Sequence, residues 1–166
     1  TVLPKIVCPT NVFATNTSGQ CSGIGAWTLP SITDNCPGAV LTQISGLSNG
    51  ASFPVGTSSV SYEVTDNSGN TANCSFFVTV SDDEAPKIIC SGDLSFPNDP
   101  GLCGSFVTGI APLTTADNCS GFTVTYTISG ATILSGNDDA SGSFFNIGSS
   151  KLIYTITDAT GNQTSC

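Results

Sequence analysis

Eight cysteines, together with a set of Asp and Asn side chains, are the residues of this chain whose types and spacing could do chemistry. Four cysteines lie in each half at matching positions: Cys8, Cys21, Cys36 and Cys74, then Cys90, Cys103, Cys119 and Cys166. Zinc sites need closely spaced CxxC pairs or histidines, and the chain has neither. Matched cysteines in an even number are instead typical of a disulfide framework in an oxidising, extracellular compartment.

The acidic and amide side chains point to calcium as the ion to consider. Ca²⁺ takes roughly six to eight oxygen ligands from carboxylates, amides and carbonyls. The predicted ligands at the junction and in the second half are Asp82, Asp83, Glu84, Asp117, Asn118, Asp158 and Asn162, and those in the first half are Asp34, Asn35, Asp66 and Asn70. The alternative is that these Asp-Asn and Asp-x-x-Gly-Asn motifs only form turns and bond their own backbone. No EF-hand loop is present, and both hypotheses stay open.

Composition argues against catalysis. The chain has no histidine to activate a nucleophile, and cysteines held in disulfides are not nucleophiles. Asp82, Asp83 and Glu84 are adjacent in sequence and are not a carboxylate pair facing across a cleft. Three basic residues and a formal net charge of −9 disfavour binding to nucleic acid or to an anionic membrane. We therefore predict a non-enzymatic protein that requires no cofactor, with Ca²⁺ as the one candidate ion.

The elements that must position these residues are short β-strands. Val60, Tyr62 and Val64 alternate with polar residues, which is the period-two pattern of a half-buried strand. Turn-forming residues at 66–70 and a second alternating run at 71–80 complete a predicted β-hairpin.

The hairpin recurs near the end of the chain, which is therefore a tandem repeat. Its second copy is SSKLIYTITDATGNQTSC, in which Tyr154 corresponds to Tyr62. We predict two domains, residues 1–81 and 82–166, joined by a short, acidic, proline-ended connection. The second copy stops at its last cysteine without a final strand, so we expect a fragment of a longer array.

Each repeat contains six or seven short strands flanked by turn signals. The predicted fold class is all-β, as tandem immunoglobulin-like (fibronectin-III-like) β-sandwiches stapled by disulfides. Trp27 follows an apolar run and is predicted to pack against the core rather than to stack on a ligand. The second repeat carries an insertion between Gly130 and Phe145, which is predicted to be a longer loop or, alternatively, a ligand-contacting one.

Four cysteines in a sandwich allow three pairings, and strand order favours one of them. Cys8 lies late in the first strand and Cys21 early in the second, so a hairpin would bring them together. Cys36 follows the second strand and Cys74 begins the last one, and both loops belong at one end of an Ig-like sandwich. The predicted bonds are Cys8–Cys21, Cys36–Cys74, Cys90–Cys103 and Cys119–Cys166.

The motifs KIVCP, GQC, DNC, FPVGTSSVSYEVTDNSGNTANCSFFVTV and DDEAPKI resemble those of the hyalin repeat (HYR) domain, and the resemblance covers both copies. The second copy departs from the pattern, with FNIG in place of FPVG, the insertion, and no strand after Cys166. The resemblance implies an Ig-like sandwich in extracellular proteins of cell adhesion, including multi-repeat surface proteins and bacterial adhesins, and brings no catalytic residues.

We therefore predict a structural or adhesive repeat module of a long extracellular cell-surface or filament-forming protein, either secreted or attached to the cell surface. The module would act as a rigid, disulfide-stabilised spacer. The alternative is a module that binds a glycan or protein through its end loops or through the insertion at 130–145. Predicted partners are neighbouring repeats, other copies in a fibre, or surface and matrix ligands, with no nucleic acid and no membrane insertion.

Overall fold

The computed structural model describes residues 2–166 and divides the chain into two units, Thr1–Asp83 and Glu84–Cys166. The sequence placed the boundary after Ser81, and the structure places it after Asp83. Both units are β-sandwiches, and the described residues form strands and turns without a helix. None of these residues therefore belongs to a helix that could cross a membrane.

The first unit contains eight strands in two layers. They are β1 (Lys5–Val7), β2 (Val12–Thr15), β3 (Ser22–Ile24), β4 (Ser31–Thr33), β5 (Val40–Ser45), β6 (Ser52–Pro54), β7 (Gly56–Thr65) and β8 (Thr71–Ser81). One layer is the four-stranded sheet β2-β8-β7-β5, and the strand pairs β1-β4 and β3-β6 cover it.

The predicted hairpin is confirmed as β7 and β8, which pair from Gly56↔Val80 to Thr65↔Thr71. Its alternating side chains form the core, since Val60, Val64 and Val78 are fully buried. Trp27 packs edge-on against Phe53 and Phe76, and its Nε1 donates a hydrogen bond to Tyr62 Oη at 3.1 Å. The packing role predicted for Trp27 is confirmed.

The second unit repeats this plan with its own core. Its strands are β9 (Lys87–Ile89), β10 (Gly104–Val107), β11 (Thr114–Ala116), β12 (Thr123–Gly130), β13 (Leu134–Asn137), β14 (Ser143–Asn146), β15 (Ser150–Thr157) and β16 (Gln163–Ser165). The larger sheet is β13-β12-β15-β16, with β10-β14 and β9-β11 as the smaller pairs. Tyr154 and Ile156 on β15 are buried at its centre.

The insertion is not the loop that the sequence predicted, because its first half forms strand β13. This strand extends the larger sheet by pairing antiparallel with β12, from Ile128↔Leu134 to Thr125↔Asn137. Glycine at 136 allows the close approach, since a Cβ there would lie 2.6 Å from Tyr126 Oη. The second half is anchored to the core through Ala140, whose N–H donates to Tyr154 Oη at 2.9 Å.

The predicted cysteine pairs are wrong in both units. Cys8 is bonded to Cys74 with a Cα–Cα distance of 5.7 Å, and Cys90 is bonded to Cys166 at 5.8 Å. Each bond joins the first strand of its unit to the last one described. The pairings that the structure excludes are Cys8–Cys21, Cys36–Cys74, Cys90–Cys103 and Cys119–Cys166.

The physical reason is that the first two strands of unit 1 do not form a hairpin. β1 pairs with β4, whereas β2 pairs parallel with β8 in the opposite layer. The chain therefore crosses between layers directly after Cys8, and the crossing brings Cys8 beside Cys74 on β8. In unit 2, β9 likewise pairs with β11 and contacts β16, which leads to Cys166.

Candidate functional site

Two aspartates of each unit lie in two neighbouring loops at the end where the chain enters. We call this the acidic end; it comprises residues 34–37 and 66–70 in unit 1, and 117–119 and 158–162 in unit 2. In unit 1 the loops touch, because Asn67 Nδ2 donates to Pro37 O at 2.9 Å. In unit 2 a carboxylate oxygen of Asp117 lies within 4.8 Å of one of Asp158.

The turn aspartates bond their own loops, as the turn-forming hypothesis expects. Asp158 Oδ1 accepts hydrogen bonds from the backbone N–H groups of Thr160, Gly161 and Asn162 at 2.9, 2.6 and 2.8 Å. Its Oδ2 accepts one from Asn162 Nδ2 at 2.8 Å. These bonds fix the turn between β15 and β16, because each satisfies a donor that the strands leave unpaired.

The first repeat contains the same turn with fewer bonds. Asp66 Oδ1 accepts the N–H groups of Ser68 and Asn70, each at 2.8 Å, and Oδ2 accepts Asn70 Nδ2 at 2.6 Å. The hydrogen bond from the Asn70 side chain is the main reason why the pKa of Asp66 lies below its ordinary value.

The pKa of Asp158 is also lowered, against the effect of its surroundings. Burial acts to raise it, but hydrogen bonds from the Asn162 and Thr160 side chains and from the backbone outweigh that effect. The ionised carboxylate is therefore the form that holds this turn.

The other aspartate of each acidic end has a hydrogen bond to only one of its two carboxylate oxygens. Asp34 Oδ2 accepts the N–H of Cys36 at 3.2 Å, and Asp117 Oδ2 accepts that of Cys119 at 3.1 Å. The second oxygen of both Asp34 and Asp117 is buried and has no hydrogen-bond partner among the described residues. Buried carboxylate oxygens without partners are costly, so this recurrence in both units singles out the two positions.

The asparagines among the remaining predicted ligands form hydrogen bonds with neighbouring residues of their own unit. Asn162 bonds Asp158, and its Nδ2 also donates to the carbonyl of Glu84 at 3.5 Å. Asn118 Nδ2 donates to Cys119 Sγ at 3.6 Å, as Asn35 does to Cys36 at 3.4 Å.

The backbone of the connection between the repeats forms a hydrogen bond to unit 1. Asp83 donates its N–H to Asn16 Oδ1 at 3.1 Å. Asp82 precedes it as a residue of unit 1, whereas Glu84 begins unit 2. The carboxylates of these three residues stay predicted calcium ligands.

Two exposed thiols were missed by the sequence interpretation, which paired every cysteine. Cys36 and Cys103 are free and exposed. Cys36 lies at the acidic end of unit 1, whereas Cys103 lies at the opposite end of unit 2, where its carbonyl accepts the N–H of Ile147 at 3.2 Å. The alternation of residues and the turn motifs could not show that these two cysteines are free, because neither pattern tells which loops lie close together in space.

The fold, the disulfides and the acidic ends define a class of extracellular β-sandwich repeat. Residues 1–80 and 114–166 match the HYR domain, and the chain belongs to that family. The resemblance seen in the sequence motifs is thereby confirmed.

Three relatives of this chain are far longer than it. It is 34% identical to hyalin of Strongylocentrotus purpuratus over 98% of this chain and 13% of hyalin. It is 29% identical to the sushi, von Willebrand factor type A, EGF and pentraxin domain-containing protein 1 of Rattus norvegicus, over 98% of this chain and 4% of that protein. It is 33% identical to the serine-rich adhesin for platelets of Staphylococcus aureus, over 80% of this chain and 10% of the adhesin.

The chain thus spans 13% or less of the length of these relatives. Among solved structures, the extracellular cadherin domains of protocadherin gamma B7 superpose on 99% of this chain and 48% of that chain, with a TM-score of 0.47 and 13% identity. The family and the adhesive relatives point to a non-enzymatic, adhesion-type repeat module, and the disulfides fit its extracellular location.

We predict that Asp158→Asn lowers the stability of unit 2 near neutral pH and flattens its acid unfolding. A lowered pKa means that the folded state favours the ionised carboxylate, so the stabilisation is complete above the ordinary value of 3.8. It is lost as the pH falls through the lower, folded-state pKa. The measurement is urea denaturation at several pH values between about 7 and 2, followed by circular dichroism.

The exposed Asp93→Asn serves as the matched control in the same unit. Trp27, the one tryptophan, reports on unit 1 by fluorescence and should be unaffected by either substitution. If the free energy of unfolding falls with decreasing pH in the same way for the wild type and for Asp158→Asn, the role assigned to this carboxylate is contradicted.

Proposed function

We propose that each unit is a load-bearing spacer of a long adhesion-type protein, held short by the disulfide between its first and last described strands. The observation that supports this proposal is the pair of bonds Cys8–Cys74 and Cys90–Cys166, which close sequence separations of 66 and 76 residues. A covalent bond across these points keeps everything between them out of the path of a pulling force.

The route of tension through the chain follows from these bonds. A force applied at the two termini passes from residue 8 to residue 74 through sulfur, then along the connection to residue 90, and again through sulfur to residue 166. Only residues 1–8 and 74–90 can extend while the disulfides are intact. A module wired in this way keeps its length even when its strands separate, which is what a spacer requires.

We predict that reduction changes the extension of the chain in a mechanical experiment. Pulled from its termini under oxidising conditions, the chain should lengthen only by its unprotected segments. Reduction should add two steps of about 230 Å and about 270 Å, because an extended chain spans at most about 3.5 Å per residue. Single-molecule force spectroscopy measures both quantities.

The variant Cys8→Ala/Cys74→Ala removes one of these bonds and should extend further than the wild type without reductant, by at most the shorter of the two steps. Cys36→Ala is the matched control, since this thiol is free and exposed. Full-length extension of the oxidised wild type would contradict the spacer proposal.

We also propose that the acidic ends bind Ca²⁺. Asp117 and Asp158 bring carboxylate oxygens within 4.8 Å of each other, and the second oxygen of Asp117 has no hydrogen-bond partner among the described residues. Hard oxygen donors around a net negative loop are the ligands that Ca²⁺ prefers. Asp34 supports the same proposal in unit 1. The carboxylates of Asp82, Asp83 and Glu84 are further proposed ligands at the connection.

The expected result is a rise in melting temperature of at least about 5 °C when Ca²⁺ is present at about ten times its Kd, compared with chelator. Millimolar concentrations are appropriate, since extracellular calcium modules bind at about 10⁻⁴–10⁻³ M. Asp117→Asn should abolish the shift in unit 2, whereas Asp93→Asn should retain it. Equal melting temperatures with Ca²⁺ and with chelator would exclude calcium without affecting the spacer proposal.

A second candidate function is ligand binding through the insertion. Strand β13 and the turn before it present Ile133 with 87% of its surface exposed. A large apolar side chain at the tip of an extra hairpin is suited to contact another molecule, because its burial there would be favourable.

The test is saturable binding of the chain to a defined glycan array and to matrix-protein surfaces. Ile133→Asp should weaken binding by at least about tenfold if this side chain is buried in the complex, because about 1.4 kcal/mol corresponds to that factor. Ile147→Asp, at another exposed apolar position of unit 2, is the control. Equal binding by both variants would eliminate the insertion as the contact.

A further inference from the structure

Unit 2 contains a groove of about 1000 Å³ that we call the open groove. It is lined by the first half of β15 and by the segment 91–98, which forms no strand. Phe145 on β14 and Val107 on β10 also line it. All of these residues belong to unit 2, so the open groove is complete within one unit.

In unit 1 a strand occupies the equivalent place. Residues 76–80 of β8 pair antiparallel with β7 and parallel with β2, so this part of β8 is bonded on both sides. Its inward side chains are almost completely buried; they are Phe76, Val78 and Val80. The two strands that flank it correspond to β15 and to the segment 91–98 in unit 2.

The corresponding backbone edge of unit 2 is unpaired. β16 pairs with β15 at residues 155–157, and Cys166 exchanges backbone hydrogen bonds with Tyr154 at 2.9 and 3.0 Å. Among the described residues, no strand pairs with residues 150–153 on this side of β15. The N–H and C=O of Leu152 face this side as those of Tyr154 do, because successive residues of a strand alternate between its two neighbours. Such an edge can pair with an additional strand.

The apolar side chains of the open groove are less covered than their counterparts in unit 1. Phe53 and Val60 are completely buried. Phe145 and Leu152, at the corresponding positions of unit 2, are only half-buried. The difference follows from the strand that covers the first pair, since Val60 lies opposite Phe76 in the ladder between β7 and β8.

The segment 91–98 shows the same difference. Leu94 and Phe96 correspond to Val12 and Ala14, because they lie at the same distances after the first cysteine of their unit. Val12 and Ala14 are half-buried against the core of unit 1, whereas 52% of Leu94 and 46% of Phe96 are exposed. Exposed apolar side chains that line one groove are typical of a binding surface, because an apolar occupant would remove them from water.

We propose that the open groove binds an extended strand of another polypeptide, which has apolar side chains at alternate positions and pairs antiparallel with β15. Every described strand of this chain is already paired within its own unit, so none of them is available to fill the groove. Residues 75–81, SFFVTVS, show the side-chain pattern that fits, since they occupy the equivalent place in unit 1. Backbone hydrogen bonds would supply affinity, and the alternate apolar side chains would supply specificity. The proposal depends on neither the spacer role nor calcium.

A synthetic, fluorescently labelled peptide SFFVTVS with a lysine tail for solubility tests the proposal. Fluorescence anisotropy should show saturable binding to the oxidised chain at a single site. Hydrogen exchange of the Leu152 amide should slow by at least about tenfold at a saturating peptide concentration, because this N–H gains a partner. Absence of saturable binding would overturn the proposal.

Two peptide variants test the alternation of inward and outward side chains. Phe76→Asp in the peptide should weaken binding by at least about tenfold, because the corresponding side chain in unit 1 is only 3% exposed. Phe77→Asp in the peptide is the matched control and should retain binding, since Phe77 is 49% exposed in unit 1. Equal weakening by both substitutions would contradict strand addition.

Variants of the chain locate the site. Leu94→Asp should weaken peptide binding by at least about tenfold, whereas Leu113→Asp, at a position 68% exposed and outside the groove, should not. Both positions are exposed, so both variants should fold, as circular dichroism melts would verify. A chain lengthened after Cys166 by SFFVTVS should no longer bind the peptide, because Cys166 lies opposite Tyr154 as Cys74 lies opposite Tyr62. Equal affinity of Leu94→Asp and Leu113→Asp, or undiminished binding by the lengthened chain, would overturn the proposal.

Discussion

Each repeat depends on one covalent constraint, the disulfide that ties its first strand to its last described one. A unit of this size buries too little apolar surface to be secure by packing alone. Closing a loop of 66 or 76 residues removes enough freedom from the unfolded chain to contribute about 4 kcal/mol in the chain-entropy model. The layers can then be thin, with short strand pairs such as β1-β4 on one face, because the ends of the unit cannot separate.

The position of that bond also decides where function can lie. Cys74 and the core residues beside it, Phe76 and Val78, occupy the middle of the sandwich, so the faces serve packing. The polar side chains that could bind an ion therefore lie in the loops at the ends of the sandwich. There, Asp158 is satisfied by its own turn, whereas Asp117 keeps one buried oxygen without a partner. The two carboxylates thus divide their roles, one holding the loop and the other remaining available.

The sequence was sufficient for features that depend on neighbouring residues. Alternation located β7 and β8, and the Asp-x-x-Gly-Asn motif located the turn between them, because both follow from local backbone geometry. The sequence did not predict strand pairing correctly where the partner strand is distant along the chain. The parallel pairing of β2 with β8 leaves no mark in the alternation of Val12–Thr15, so the cysteine pairing inferred from a hairpin was wrong. Strand β13 was missed for a related reason, since its Leu-Ser-Gly-Asn sequence is typical of a loop and only the neighbouring β12 makes it a strand.

The unequal state of equivalent cysteines is informative because the two repeats share one fold. If Cys36 were free for a local reason, such as a distorted loop, its environment should differ from that of Cys119. The local contacts are instead alike: each cysteine follows an Asp whose Oδ2 accepts the cysteine N–H, and each sulfur accepts a hydrogen bond from the preceding Asn. These loop contacts form whether the cysteine is bonded or free, so the fold of the loop does not depend on the bond state of its cysteine.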